Sequence, residues 1–246
     1  MKRRNFIAAA GASVLAGCNR IADSETGGSF IRAADGWHKT VQRLLNPPNA
    51  LAPEFTRADI SPYFRGNGST NPTNGDYQQH VAANFADWRL AVGGLVERPL
   101  VFSLDELRAL PQRTQITRHD CVEGWSAIGE WTGPRLETLL DAAGVLPAAR
   151  FVVFRCADDL SGARYYESVD LNDARHPQTI VAHKLNGQPL EVKNGAPLRM
   201  RIERQLGYKH AKYLTGVDLV ASLDGIGGGK GGYWEDRSGY QWYAGI

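Results

Sequence analysis

The chain has 246 residues, 43% of them hydrophobic and 22% charged, with 27 Gly and 12 Pro. This excludes a disordered or fibrous protein and fits one globular domain that buries roughly 70% of its unfolded surface. Three cysteines cannot make a disulfide framework, and the formal charge of +2 falls to −1 once the first 17 residues with Lys2, Arg3 and Arg4 are removed, so no nucleic-acid partner is expected.

Residues 1–18 read as an address. A basic head, Lys2-Arg3-Arg4, precedes an apolar run from Phe6 to Gly17 and then Cys18, the layout of a secretory signal too short to cross a hydrocarbon core of about 30 Å. Arg3-Arg4-Asn5-Phe6-Ile7 resembles a twin-arginine signal, whose route carries folded cargo and so implies a cofactor inserted before export. Leu15-Ala16-Gly17-Cys18 matches a lipobox, which would leave Cys18 acylated. The expected location is the bacterial periplasm. Residues 19–60, rich in Gly, Ser, Asp, Asn and Pro, read as a tether and an extended arm, and residues 61–246 as the folded domain.

Within that domain Trp88 to Val92 alternates as a strand and Gly93-Gly94 turns. Ser103 with Glu106 forms a capping box that opens a short helix through Leu110. Thr114 to Cys121 alternates again and delivers Cys121 to a strand end. Pro134 is expected as the first residue of a helix whose face is Leu136, Leu139, Leu140 and Ala143 and which Gly144 closes. Phe151 to Phe154 is a buried strand. Thr179 to Leu190 reads as strand, Asn186-Gly187 turn, strand. Leu198 to Ile202 and Val217 to Leu219 add further strands. Short strands with short helices between them predict an α+β fold with mixed sheets.

Gly225-Ile226-Gly227-Gly228-Gly229-Lys230-Gly231-Gly232 lacks the Ser or Thr of a phosphate loop, no helix is expected after it, and it reads as a flexible turn. Gly124 to Gly129 comes near a nucleophile elbow, but its second glycine is one residue late. No cysteine pair has zinc-finger spacing. Cys121 opens Cys121-Val122-Glu123-Gly124-Trp125-Ser126, a turn of polar and aromatic groups. It is a small buried hydrophobe, a thiol nucleophile with His119 as its base, or a soft-metal thiolate.

Cys121 to Ser126, with Trp131-Thr132-Gly133 beyond it, resembles the molybdenum-binding segment of the sulfite oxidase superfamily. It is closest to the periplasmic methionine sulfoxide reductase catalytic subunits. Asn186-Gly187-Gln188-Pro189-Leu190, Asn194-Gly195-Ala196-Pro197-Leu198-Arg199 and Gly207-Tyr208-Lys209-His210-Ala211-Lys212-Tyr213 extend the match in order. The resemblance implies a molybdopterin with one molybdenum, buried in a sulfite-oxidase-type fold. Cys121 would be the protein thiolate on the metal, since soft sulfur suits a centre passing between +4 and +6. Asn194 and Arg199 would hold the pterin. His210, Ala211 and Lys212 would wrap its phosphate end with two donors and a backbone N–H, and Asn67 would make a further pterin contact. Glu123 would lie close to the metal as a proton donor.

The chain also departs from the family. His183 stands where sulfite oxidases place a tyrosine beside the metal, and could move protons there. Cys156 replaces a pterin-contacting threonine of the reductases. Gly66 stands where an arginine for a dianion is expected, leaving Arg65 or Arg118 as substitutes. The residues after 222 are too few for an immunoglobulin-like dimerisation domain, and no haem-attachment motif is present. The implied protein is a monomeric catalytic subunit that transfers an oxygen atom with two electrons at molybdenum, reducing a small sulfoxide or oxidised methionine. Its electrons would come through a separate protein, such as a membrane haem or quinone-linked subunit. Oxidation of sulfite or a related oxyanion, and a non-catalytic exported binding lipoprotein, are the alternatives. The aromatic tail Tyr233-Trp234, Tyr240, Trp242, Tyr243 is expected as core or lid packing.

Overall fold

The computed structural model describes residue 37, residues 39–45, residue 47 and residues 49–246; the signal, the lipobox with Cys18 and most of the tether lie outside the described residues. Residues 37 and 39–45 are helical rather than a plain tether, and Val41, Leu44 and Leu45 recur at helical spacing. A separate compact unit spans Pro48–Ile246. The extended arm belongs to it. The Ala52 N–H donates to Gln178 Oε1 at 2.8 Å and the Phe55 N–H to the Ile116 carbonyl at 2.8 Å, so backbone pairing binds this stretch to the domain.

In chain order the unit contains α1 (Gly75–Ala82), β1 (Arg89–Gly94), β2 (Leu100–Ser103), α2 (Leu104–Ala109), β3 (Gln112–Cys121), β4 (Trp125–Pro134), α3 (Leu136–Ala143), β5 (Phe151–Leu160) and β6 (Ala163–Asp170). It continues through α4 (Leu171–Ala174), β7 (Ile180–Ala182), β8 (Lys184–Leu185), β9 (Gln188–Pro189), β10 (Arg199–Arg201), β11 (Leu214–Val220) and α5 (Tyr233–Ser238). A five-stranded mixed sheet has the order β2-β1-β11-β5-β6, with β1 and β11 parallel; β3-β4-β8-β9 form a four-stranded antiparallel sheet, and β10 pairs with β7. This is the expected α+β architecture.

Local signals explain several boundaries. The Ser103–Glu106 capping box starts α2, and Gly144, at φ 72°, ends α3 in the left-handed conformation. Asn186 and Gly187, at φ 52° and 77°, make the tight turn between β8 and β9. Pro134 is not the first residue of α3: it ends β4 opposite Gln112, and Arg135 caps the helix. Pairing holds it there, since Arg135 bridges to Ile180.

The glycine loop is a further difference. α5 follows it directly, with Gly232 as its N-cap. The Asp236 carboxylate accepts the Gly228 and Lys230 N–H groups at 2.7 and 3.0 Å, so the turn is tied to its own helix rather than left flexible.

The main core packs α3, with Leu136, Leu139, Leu140 and Ala143 buried, against Leu90, Val92, Val152, Val217 and Leu219 of the five-stranded sheet. A second cluster gathers Phe64, Ala127, Trp131, Ile180 and Ala182 at the four-stranded sheet. Gly133 presses its α-carbon onto the backbone of Val181, where a Cβ would enter the carbonyl. The inward face of β3 is polar: Gln115, Thr117 and His119 are buried. A strand that buries polar groups needs partners for each, and these lead to the site.

Candidate active site

Cys121 is the last residue of β3. The Gly124 N–H donates to the Cys121 carbonyl at 3.0 Å, and Gly124, at φ 84°, turns the chain into β4. This hairpin holds Cys121 half-buried at the edge of a cavity of about 240 Å³. Burial pushes the thiol up, while a hydrogen bond from the Glu123 N–H and the charges of Arg199 and Arg65 favour the thiolate. A metal would complete that balance by displacing the proton. Glu123 lies on the same turn and the same cavity wall; its Oε2 accepts from Trp125 Nε1 at 3.0 Å and its Oε1 from the Gly68 N–H at 3.4 Å.

Asn67, His210 and Lys212 line this cavity with Cys121, and Arg199 and Asn194 stand behind it. Arg199 on β10 bridges to Lys212. Asn194 ends a short 3-10 helix, Val192–Asn194, and its carbonyl accepts from Arg199 Nη1 at 3.0 Å. Arg199 and Arg201 both lie over the Trp131 ring, 4.9 and 4.5 Å from its centroid. Their situations differ. Arg201 is matched by Glu203, at 2.9 and 2.5 Å, and by His119 Nδ1 at 2.9 Å. Arg199 is fully buried, yet its Nε and Nη2 have no partner. Burial and neighbouring Arg201 push it down to about 9.

Unpartnered buried atoms recur around the cavity: Asn67 Oδ1, Asn194 Nδ2 and His210 Nδ1 besides those of Arg199. Buried polar groups are normally satisfied, so a polar ligand with an anionic part fits these residues. His210 Nε2 lies 2.9 and 3.0 Å from the carbonyls of Ile202 and Gln205, so it carries the proton and Nδ1 is the acceptor. Burial, with Arg201 and Arg199, holds the ring neutral. His210 therefore offers the cavity an acceptor, not the anion-binding donor expected from the sequence. Lys212 Nζ donates to the carbonyls of Asn67 at 2.6 Å, Ser69, and Lys193 at 3.3 Å, tying the 67–69 loop to the site. Burial, then Arg199, pushes it down to about 7. Ala211 is a core residue, and its N–H donates to the Lys209 carbonyl at 3.1 Å, so it is not available to wrap a phosphate.

Two further residues fall elsewhere. His183 is not beside Cys121: it lines a separate cavity of about 490 Å³ with Arg89, Arg108 and Pro189. Its Nε2 lies 2.9 Å from Gln112 Oε1, and Gln112 and Cys121 are opposite ends of the ten-residue β3, about 30 Å apart along the strand. The chain breaks between β7 and β8 at His183, which sends this side chain away from Cys121. Cys156 lines another cavity, of about 670 Å³, and takes the Lys212 N–H. Burial holds its thiol well above its ordinary value.

His119 is no base for Cys121, because Arg201 occupies its Nδ1 and burial, with Arg201, holds it neutral far below its ordinary value. A side chain at position 66 would be crowded: a Cβ there would meet Lys193 O at 3.0 Å and Thr70 at 2.9 Å. Arg118 is turned to Asp120 at 2.9 Å, and Arg65 is exposed. Sequence reading missed Trp131 as the platform for two arginines. It also missed Tyr165 and Tyr208 in the cavity wall, where Trp234 and Tyr240 of the aromatic tail join them. In the tail, Trp234 and Tyr240 stack at 5.8 Å on the cavity wall, while Tyr233 is buried in the main core.

Fold and site together define a protein with a cavity edged by a cysteine thiol, around which unpartnered buried atoms fit a polar, partly anionic ligand. The model of the oxidoreductase molybdopterin-binding domain matches residues 77–223, more than half of the chain. A protein of Azospira oryzae, provisionally named protein-methionine-sulfoxide reductase subunit YedZ1, is 41% identical over 235 residues, 96% of this chain and 83% of that protein. The protein-methionine-sulfoxide reductase catalytic subunit MsrP of Xanthomonas axonopodis pv. citri is 32% identical over 188 residues, 70% of this chain and 57% of its own length. The crystal structure of the sulfane dehydrogenase SoxCD from Paracoccus pantotrophus shares the fold, with a TM-score of 0.51 at 24% identity over 56% of this chain and 39% of that one.

The chain belongs to the molybdopterin-binding oxidoreductase family of the sulfite oxidase superfamily. It is an enzyme, and its cofactor is molybdopterin with one molybdenum.

Proposed function

We propose that this chain is a catalytic subunit that reduces a small sulfoxide or an oxidised methionine side chain, with Cys121 as the protein ligand to molybdenum. The relatives named as methionine-sulfoxide reductase subunits support the substrate class. The observation that carries the site is the fully buried Arg199, with Nε and Nη2 unpartnered, behind a cavity edged by the Cys121 thiol. The reaction takes one sulfoxide, two electrons and two protons to one thioether and one water. When bound, the cofactor supplies a metal that passes between +4 and +6 and so exchanges two electrons with one oxygen atom.

The chain's residues divide the remaining work. Cys121, held at its hairpin, supplies the soft thiolate. Arg199 and Asn194 direct donors at the anionic parts of the cofactor. Glu123, on the wall beside Cys121 and fixed by Trp125 and Gly68, delivers a proton to the departing oxygen. Leu160, Tyr165, Tyr208, Trp234 and Tyr240 make an aromatic and apolar wall that suits a neutral sulfoxide and its thioether product. With Gly66 in place of the arginine expected for a dianion, the site is less suited to sulfite.

Electrons arrive through a separate protein, consistent with relatives that are themselves named as subunits. The twin-arginine pattern and lipobox of residues 1–18 favour a periplasmic enzyme tethered through Cys18 and served by a membrane haem or quinone-linked partner. The test is a steady-state comparison of the holoenzyme with methionine sulfoxide plus a reduced viologen against sulfite plus an oxidised acceptor. Turnover of the sulfoxide supports the reading. Turnover of sulfite alone overturns it.

A further inference from the structure

We propose that the buried cluster of Glu167, Lys209 and Glu235 positions the aromatic wall of the Cys121 cavity, on which Trp234 and Tyr240 receive the apolar groups of the substrate. The inference rests on the sulfoxide reading for the nature of that substrate. Lys209 Nζ lies 2.5 Å from both Glu167 Oε2 and Glu235 Oε1, and none of these side chains is more than 1% exposed. One cation thus meets two carboxyl groups, and Glu235 Oε2 has no partner. Burial pushes Glu167 well above its ordinary value, against the pull of Lys209. Such a cluster adds little to stability, because desolvation offsets its attraction and neutral side chains of similar volume do as well. What it can fix is the register of the segments that carry it.

Those segments are distant in the chain, and each cluster member stands beside a residue of the cavity wall. Glu167 follows Tyr165 by two places on β6, which puts both on one face of the strand. Lys209 lies between Tyr208 and His210, and Glu235 follows Trp234 on α5. Tyr165, Tyr208, His210 and Trp234 all line the cavity with Cys121. The Tyr165 hydroxyl donates to the Tyr208 carbonyl at 2.6 Å and lies 3.4 Å from Glu167 Oε1, so two of the segments are also joined directly. Gly232, the N-cap of α5, packs onto the cluster, where a Cβ would run into both carboxyl groups.

Tyr240 lies beyond α5 and is placed by rings. It stacks on Trp234 at 5.8 Å and meets Tyr208 edge-on at 5.1 Å. Tyr240 lines the cavity yet is 37% exposed, so it stands where the cavity opens. The sulfur and the flanking methyl and methylene groups of a sulfoxide suit aromatic faces of this kind.

The test compares the unsubstituted holoenzyme with a Glu167→Gln, Lys209→Met, Glu235→Gln triple variant, which removes every charge of the cluster at similar volume, and with Tyr240→Ala. Kinetics with methionine sulfoxide and a reduced viologen, pterin per chain, thermal melting and amide hydrogen exchange of α5 are measured for each. The triple variant should keep its pterin and a melting temperature equal to or above that of the unsubstituted enzyme. Its KM should rise about tenfold while kcat falls by less than about twofold, and α5 should exchange about tenfold faster. Tyr240→Ala should raise KM about fivefold. Unchanged KM in either variant overturns the proposal, as does unchanged exchange in the triple variant. A lower melting temperature with loss of pterin overturns it too, since the cluster is then structural. If the unsubstituted holoenzyme itself fails to reduce methionine sulfoxide, the substrate reading is what fails; the exchange measurement needs no substrate and still decides whether the cluster sets the wall.

Discussion

The Arg199 guanidinium lies 4.9 Å from the centroid of the Trp131 ring, fully buried, and one of its nitrogens alone finds a protein acceptor, the Asn194 carbonyl at 3.0 Å. Trp131 gives the cation a flat surface but no compensating charge. The apoprotein therefore carries an under-compensated buried cation. Arg199→Met should stabilise the apoprotein by about 2 kcal/mol, measured by urea unfolding. The same variant should lose most of its molybdenum and pterin. A destabilised variant with full cofactor content would make Arg199 a packing residue.

Glu123 is tied by Trp125 Nε1 and the Gly68 N–H, and Gln can keep at least the second bond. Glu123→Gln should therefore retain cofactor content while kcat for sulfoxide falls by about 10²-fold or more. Metal analysis beside steady-state kinetics checks this. Unchanged kcat would remove Glu123 from proton delivery.

His183 is 7% exposed and is pushed down to about 4 by burial, then by Arg108 and Lys184. Below its unfolded value near 6.5 the unfolded chain binds the proton that the folded chain refuses, so stability is full above pH 6.5 and is lost as pH falls towards 4. Between pH 7 and pH 5 its share of the loss is about 2 kcal/mol. His183→Gln should be less sensitive to acid than the unsubstituted chain by that amount, and equal pH dependence would contradict the assignment. Because His183 lies far from Cys121, the pH profile of turnover should not move.

At Gly133 the nearest atoms are backbone, the carbonyl of Val181 and the α-carbon of Ala182. They cannot rotate away as a side chain would. Gly133→Ala should cost about 3 kcal/mol by forcing β4 and β7 apart, and a cost below about 1 kcal/mol would show that the strands separate freely.

Local signals made parts of this fold readable. The Ser103–Glu106 box, the Asn186-Gly187 turn and Gly144 act within a few residues, and each lies where its chemistry requires. Cys121 was legible because alternation along β3 runs to a Gly turn. What failed depends on pairing between distant strands. His183 sits in a recognisable hairpin, yet its neighbours are set by the switch from β10 pairing in β7 to β4 pairing in β8. Asp158, next to Asp159, carries no local signal for burial, yet it lies buried in the stretch where the β5–β6 register shifts. The carbonyls that take His210 Nε2 are those of Ile202 and Gln205, backbone groups whose direction no residue type announces, so its role as acceptor has no sequence signature.

The central claim is that the Cys121 thiolate at the cavity edge is a ligand to molybdenum. The most direct measurement is X-ray absorption at the molybdenum edge of the holoenzyme beside Cys121→Ser, each with its pterin content known. The account predicts sulfur neighbours from the dithiolene plus one more in the unsubstituted enzyme, and loss of that one in the variant. An identical sulfur count in the two proteins would contradict it.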